Sequence, residues 1–472
     1  MKSRLIVSEG SSRLLLIFAG WGMDAGVFEN IRRPGYDVMV VWDYRSLSID
    51  WSIADGYEEI CLFAWSMGVA AAASTISPIA GRITLKIAVN GTLTPIDDSH
   101  GIPEAIFYGT LQNLSKENLE KFFRRMCATR ADRELFEKRR PSRPVEELAE
   151  ELRTIGLRHG ADKEPAKTEI QWDVAVIGSS DKIFPPENQR RAWEGNARRI
   201  PEVDKGHFFD FSSLIESFLI DKEEAQIRFS SARTEYAGNA TVQKEVVERL
   251  VEMITASGID AELLTCRGRV LEVGSGSGFL SEKIGMLAPE AEILLWDFAA
   301  SIPAELPQGP AYIHEKRDAE TGITSLPDCS ISHIFSASTL QWFNSPERFL
   351  GNCARVLGKG GYAFITTFTT GNMQEIAEIS GATLPLMTEE ELLETVSRHF
   401  DVVAREFERK TLLFDSPLEV LRHLRLTGVN SLGRRNEETL SPFELVRRYP
   451  VMPDGKYRLT YTPALLILRK RH

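Results

Sequence analysis

Two apolar runs in this chain end in turns made of small residues, and each turn feeds a helical pattern. Ile60–Phe63 leads into Ala64-Trp65-Ser66-Met67-Gly68, and Val270–Val273 leads into Gly274-Ser275-Gly276-Ser277-Gly278. A buried strand turning sharply into a helix is the joint of α/β architecture, and repeated alternation of the two implies a mostly parallel sheet covered on both faces. Each joint sits in its own alternation. The first has strand candidates at Leu14–Phe18, Asp37–Trp42, Ile60–Ala64, Ile83–Val89 and Val174–Ile177. The second has a helix over Thr241–Ala256, then strands at Arg269–Val273, Glu292–Trp296, Tyr312–His314, His333–Ser336, Gly361–Thr367, Val402–Phe407 and Ala464–Leu468. At 472 residues the chain exceeds one ordinary domain. The expectation is two α/β domains, 1–221 and 222–472, joined near the charged stretch Asp221–Gln226, with a helical cap inserted over 102–165.

Composition narrows the function classes. No apolar run reaches the roughly eighteen residues of a membrane span. Five scattered cysteines without any CxxC point to reduced thiols in a cytoplasm, with neither disulfides nor a metal site. A net charge of −11 disfavours nucleic acid as a general partner.

The first joint is a variant nucleophile elbow, with Ala64 in place of the first glycine of G-x-S-x-G. Asp181 follows a strand and a Gly178-Ser179-Ser180 loop, and His207 lies in a Gly-His turn near the domain end. The order Ser66, Asp181, His207 is that of α/β-hydrolases. Phe18-Ala19-Gly20-Trp21-Gly22 follows the first long strand, so the amides of Trp21 and Met67 are expected to form the oxyanion hole. The chemistry expected is serine ester hydrolysis.

The second joint is G-x-G-x-G, with Glu272 two residues before the first glycine. The dinucleotide pattern G-x-G-x-x-G fails, because Phe279 and, in the other frame, Ser281 stand where it needs glycine. No phosphate-loop G-x-x-x-x-G-K-[ST] is present. Asp297 ends a strand where a carboxylate can accept ribose hydroxyls, Asp318 can accept an adenine amino group, and Ser336 lies at a later strand end. This pattern resembles motif I and its partners in class I, Rossmann-like, S-adenosyl-L-methionine (SAM)-dependent methyltransferases, and the resemblance implies that fold and that cofactor.

Finer stretches carry two resemblances. FAGWGMD, AWSMGVAAA, GIPEAIFYGTL and KFFRRMC, across nearly all of 1–220, resemble the BioG-type pimeloyl-acyl-carrier-protein methyl ester esterases of biotin synthesis. The resemblance implies an acyl chain tethered to an acidic carrier protein. Phe122 and Phe123 can then line an acyl tunnel, and the run Arg124, Arg125, Arg130, Lys138, Arg139, Arg140 and Arg143 can meet the carrier. The same run also suits a solvated helix face. RF…Y…A-VQ, STLQW, LRHLRLTGVNSL and LTY, from about Gln226 onward, resemble the BioC-type malonyl-acyl-carrier-protein O-methyltransferases. That resemblance implies cofactor roles for Tyr236, Gln243, Glu272, Gly274, Ser275, Gly276, Gly278, Asp297, Asp318, Ala319 and Ser336. Arg422 and Arg425, with Arg434, Arg435, Arg447 and Arg448, form a second basic cluster for carrier contact, and Arg422 or His423 can hold the malonyl carboxylate.

Together the resemblances imply a bifunctional biotin-pathway enzyme acting on acyl carrier protein loaded with malonyl and pimeloyl methyl ester groups. Two other readings remain: a carboxylesterase fused to an unrelated small-molecule methyltransferase, and a fusion in which one half is a non-catalytic carrier-binding scaffold.

Overall fold

A computed structural model describes residues 1–161, 171–299, 306, 308–380, 384–427 and 442–471, with backbone only for 161, 232–239 and 442. The chain divides into two compact units, Met1–Ile215 and Glu216–His472.

Unit 1 holds β1 (Lys2–Val7), β2 (Arg13–Phe18), β3 (Asp37–Trp42), β4 (Glu59–Trp65), α1 (Met67–Thr75), β5 (Ile83–Val89), α2 (Glu104–Gln112), α3 (Lys116–Met126), α4 (Arg130–Glu137), α5 (Val145–Ala161), β6 (Trp172–Gly178), α6 (Pro186–Trp193), β7 (Ala197–Arg199) and β8 (Glu202–Val203). The connecting α7 (Phe211–Phe218) crosses the division. The sheet runs β1-β3-β2-β4-β5-β6-β7, with β8 also on β6. All neighbours are parallel except the antiparallel pair β1/β3. Central β4 is buried along nearly its whole length, which is why it reads as a continuous apolar run. The helix after it, α1, is made of small residues. A Cβ on Gly68 would stand 2.5 Å from the Ala19 carbonyl, so only glycine lets α1 seat against the end of β2. Helices α2 to α5 fill the expected insertion between β5 and β6 up to Ala161; the rest of it, 162–170, lies outside the described residues.

Unit 2 holds α8 (Lys222–Asn239), α9 (Thr241–Ala256), α10 (Asp260–Leu264), β9 (Arg269–Val273), α11 (Phe279–Leu287), β10 (Glu292–Asp297), β11 (Ala311–Lys316), α12 (Ala319–Gly322), β12 (Ile331–Ala337), α13 (Pro346–Val356), β13 (Leu357–Phe368), α14 (Gln374–Ser380), α15 (Glu389–Ser397), β14 (Phe400–Phe407), β15 (Lys410–Phe414), α16 (Pro417–Leu426), α17 (Pro442–Arg448), β16 (Tyr457–Tyr461) and β17 (Pro463–Lys470). The order is β11-β10-β9-β12-β13-β17-β14, parallel but for the antiparallel β17. This is the class I, Rossmann-like methyltransferase fold, and its order reverses direction between β9 and β12. Ligands of open α/β sheets bind outside the strand carboxyl ends at such a reversal.

The stretch Asp221–Gln226, expected as a polar junction, instead opens α8. Asp221 Oδ1 accepts the Glu224 amide at 2.9 Å, so its polarity serves helix capping.

Candidate active sites

In unit 1 the loops after β2, β4, β5, β6 and β8 converge. Ser66 directly follows β4 at φ 58°, ψ −128°, a left-handed backbone that a non-glycine residue adopts only under strain. His207 Nε2 lies 3.0 Å from Ser66 Oγ, and its Nδ1 lies 2.9 Å from Asp181 Oδ2. All three residues are buried. Asp181 Oδ1 accepts the amides of Ile183 (2.7 Å) and Phe184 (3.1 Å), and Oδ2 also accepts Gln189 Nε2 at 3.1 Å. The Phe184 ring lies parallel to the imidazole, at 5.9 Å between centroids. The carbonyl of His207 receives Trp65 Nε1 (2.9 Å) and Asn90 Nδ2 (3.1 Å), while Asn90 Oδ1 takes the Gly178 amide at 2.7 Å. Asn90 thus ties the loop of the acid to the loop of the base. Sequence reasoning missed Asn90, Gln189 and Trp65. Their only signal is position, since Asn90 follows β5 and Gln189 lies in α6, one loop beyond Asp181.

The turn after β2 meets the same point. A Cβ on Gly20 would stand 3.2 Å from Ser66 Cβ. The amides of Trp21 and Met67 donate to no group among the described residues. The Trp21 indole donates to the Leu148 carbonyl of α5 at 3.1 Å and meets the half-buried Phe122 edge-on, at 5.0 Å between centroids. Phe123, the second residue expected to line a tunnel, lies deeper. It is 3% exposed and packs on Phe136, itself against Phe208, because it falls on the inner face of α3.

The basic run is likewise divided. Arg124 and Arg125 are exposed on α3, the latter reaching the Lys182 carbonyl at 3.3 Å, and Arg139 is half-exposed. Arg140 is committed elsewhere, paired with Glu120 and lying over the Phe123 ring. Arg143 is internal, its side chain 5% exposed and 2.7 Å from the fully buried Glu151.

In unit 2 a cleft of about 890 Å³, open mouth included, lies at the carboxyl ends of β9, β10 and β12. Gly274, Ser275, Gly276, Glu272, Asp297 and Gln243 line it, with Phe229, Phe279 and Trp342. Gly274, Gly276 and Gly278 all have positive φ (77°, 50° and 87°), and a Cβ on Gly274 would collide with Thr339 Oγ1 at 2.0 Å. Asp297 Oδ2 accepts the Gly276 amide at 2.8 Å and Oδ1 that of Ala299 at 2.7 Å, and burial raises its pKa. Glu272 is fully buried. Burial pushes its carboxyl up to about 8, with the Ser281 hydroxyl near enough to favour the anion but closing no hydrogen bond to it. The Gln243 Oε1 is also buried without a partner among the described residues. A second lobe of about 380 Å³ adjoins, walled by Lys222, Asp318, Ala319, Trp296 and Phe343 among others.

Several expected residues sit differently. Ser336 is buried inside β12, between β9 and β13, and its successors Ala337, Ser338 and Thr339 line the cleft, because the lining begins where the strand ends. Gly278 caps α11 behind the lining. Asp318 is engaged by the Lys222 ammonium at 2.6 Å. His423 Nε2 meets the Tyr461 hydroxyl at 2.8 Å, and burial lowers its pKa, so it offers a neutral imidazole rather than a cation. Arg422 and Arg425 are exposed on α16. The side chain of Tyr236, and Arg434 and Arg435, lie outside the described residues.

The chain matches the family model "Pimeloyl-ACP methyl esterase BioG" over residues 1–216 and "Methyltransferase domain" over 271–365. A malonyl-[acyl-carrier protein] O-methyltransferase of Bacteroides fragilis is 35% identical over 474 residues, covering 97% of this chain and 93% of its own length. One of Chlorobium phaeovibrioides is 33% identical, covering 53% of this chain and 97% of its own. A crystal structure of BioG from Haemophilus influenzae is 36% identical, covering 44% of this chain and 94% of its own, with a TM-score of 0.41. With identity of that order across both units, this chain belongs to the malonyl-[acyl-carrier protein] O-methyltransferase family, in a form that carries a BioG-type pimeloyl-ACP methyl esterase domain at its N-terminal end.

Proposed function

We propose that the chain is a bifunctional enzyme of the biotin pathway. Residues 222–472 methylate the free carboxylate of malonyl-[acyl-carrier protein], and residues 1–221, an α/β-hydrolase with its cap over 102–165, hydrolyse pimeloyl-[acyl-carrier protein] methyl ester. One observation carries the reading. A Ser66–His207–Asp181 hydrogen-bond chain in one unit and a glycine-walled cleft in the other occur on a chain that aligns over 97% of its length with a malonyl-[acyl-carrier protein] O-methyltransferase. The reading puts the enzyme in the cytoplasm, where its five cysteines stay reduced.

In the esterase, His207 Nε2 takes the Ser66 proton as Oγ attacks the methyl ester carbonyl. The amides of Trp21 and Met67 receive the oxyanion, each donor worth roughly 3–4 kcal/mol. His207 returns the proton to the departing methoxide, releasing methanol, and a water then cleaves the acyl-serine by the same relay. Asp181 holds the imidazole tautomer throughout, steadied by Gln189. Arg124, Arg125 and Arg139 remain candidates to meet the acidic carrier; Arg140 and Arg143 are occupied within the cap.

The cleft of unit 2 fits S-adenosyl-L-methionine. Its buried Glu272 carboxyl has no hydrogen bond among the described residues and its walls admit backbone only at Gly274, which suits an ammonium-bearing amino-acid moiety. SAM supplies an electrophilic methyl group. Glu272 and the Gly274–Gly276 loop would hold the amino-acid end, Asp297 the ribose hydroxyls, and Asp318 and Ala319 the adenine, with Gln243 reaching in from α9. Carboxylates are ionised at neutral pH, so the protein need only align the malonyl oxygen with the methyl, and alignment supplies roughly 7–11 kcal/mol. Arg422 and Arg425 offer exposed cations for the carrier or its carboxylate.

The test is to incubate the whole protein with SAM and malonyl-[acyl-carrier protein], and separately with pimeloyl-[acyl-carrier protein] methyl ester, following the methyl group by mass. A gain of one methyl on the first and a loss on the second is expected. Transfer to small acids but not to the carrier-bound malonyl group would overturn the substrate assignment.

A further inference from the structure

Lys222 is the first residue of α8, where a cation opposes the helix dipole, so the helix itself does not account for it. Its side chain is only 11% exposed. The ammonium lies 2.6 Å from Asp318 Oδ2 and 2.5 Å from Glu320 Oε2, and 5.5 Å from the centre of the Phe343 ring. Glu320 is itself anchored, accepting the amides of Asn344 (3.1 Å) and Ser345. Asp318 Oδ1 takes the Glu320 amide at 3.1 Å, which caps α12. Asp318 is thus held at both oxygens, yet its side chain keeps 31% exposure and forms part of the wall of the second lobe. Two carboxylates share one ammonium, which leaves a negative charge at that wall. The other cation there, Arg317, lies over the Trp296 ring and pairs with Glu315 at 3.5 Å.

We propose that Lys222 is a positioning residue for base recognition: it locks Asp318 in the orientation that accepts an exocyclic amino group, so the lobe selects adenine over a purine carrying a carbonyl at that place. The proposal rests on reading the cleft as a SAM site with Asp318 at the adenine. A carboxylate fixed as an acceptor discriminates against a ligand that presents a carbonyl instead of an amino group, because two acceptors then face each other with no proton between them. Discrimination of this kind depends on orientation as well as charge, and orientation is what the Lys222 bridge supplies. Burial alone would lower the ammonium's pKa, but Glu320 and Asp318 hold it above its ordinary value, so the bridge persists across the physiological range.

The experiment titrates S-adenosylhomocysteine and S-inosylhomocysteine calorimetrically into the full-length protein and its variants. The unaltered chain should prefer the adenosyl ligand by about tenfold or more, the loss expected for one hydrogen bond to a charged group. K222M should collapse most of that preference, and K222R, which can still bridge two carboxylates, should restore a good part of it. K222Q carries the same comparison if K222M is unstable. Equal weakening of both ligands in K222M or K222Q, with the preference intact, would show that Lys222 merely supports the fold and would overturn the proposal. D318A, which removes both acceptor oxygens, separates the two levels. If it leaves the preference unchanged, Asp318 is not the adenine acceptor and the underlying reading fails; if it abolishes the preference while K222M does not, only the role of Lys222 fails.

Discussion

Single residues in both units are held in states that cost energy, and each cost makes a prediction. Ser66 sits at positive φ because the elbow lifts its Oγ to His207. Ser66→Ala should abolish ester hydrolysis and leave methyl transfer at its original rate; equal loss of both in a folded variant would refute independent sites. Glu272 is the second case. Its folded pKa, about 8, is above that of an exposed carboxylate, so the folded chain holds a proton that the unfolded chain has released. Stability therefore falls as pH rises from the ordinary carboxylate range toward 8, and levels off above it. Glu272→Gln should raise the melting temperature of the ligand-free chain, more at pH 8 than at pH 5, while weakening SAM binding. In the unaltered chain the cationic cofactor should expel the Glu272 proton. Binding heats near pH 7 should accordingly vary with the ionisation enthalpy of the buffer, and buffer-independent heats would argue against the contact.

At the scale of elements, the cap is fastened to the sheet by buried charge. Glu151 on α5 accepts the Tyr44 amide at 2.7 Å and pairs with Arg143 at 2.7 Å, and Asp43 stands 3.5 Å from the same guanidinium. Removing one partner of a buried pair leaves the other uncompensated, at a cost of about 3–5 kcal/mol. Glu151→Ala should fall near the lower end, since Asp43 remains, and should depress esterase activity because α5 also takes the Trp21 indole at Leu148. Urea denaturation followed by esterase assay checks both. The cap also bears on substrate choice, because the malonyl methyl ester made by one unit is chemically a substrate for the other. A pimeloyl chain has four more methylenes, and at about 0.8 kcal/mol each an apolar path offers near 3 kcal/mol of preference. Of the two expected tunnel residues, Phe122 is half-buried beside the Trp21 ring and Phe123 lies deeper, so Phe122 is the one to vary. Phe122→Ala should lower kcat/KM for the pimeloyl ester more than for the malonyl ester; equal losses would move the discrimination elsewhere.

For the whole molecule, α8 belongs to the second unit and reaches its cleft. Lys222, Ala225 and Phe229 all wall the cleft of the second unit or its second lobe. A fragment starting at Glu216, the edge of the second unit, should bind S-adenosylhomocysteine as the full chain does, whereas one starting at Gln226 should bind it markedly more weakly, by calorimetry. Equal binding by both fragments would mean that the first turn of α8 contributes nothing to the site.

The sequence alone determined which strands are central and where their chemistry hangs. Fully buried parallel strands read as apolar runs, and turns that need positive φ or close backbone approach demand glycine or small residues, so β4 with Ser66 and β9 with Gly274–Gly278 were legible by local rules. Edge strand β1, half-exposed and antiparallel, and the short β7, β8, β15 and β16 carry no such signal. Tertiary structure decided everything that depends on which face of an element turns inward. It sent Phe123 and Arg143 into the interior, tied Arg140 to Glu120, and gave the cleft lining to Ser338 rather than Ser336. It also joined Asn90 to His207 and Lys222 to Asp318 across 117 and 96 residues of chain. A hydrogen bond between residues so distant leaves no periodicity or spacing in the sequence, because only the packing of separate elements brings its two ends together.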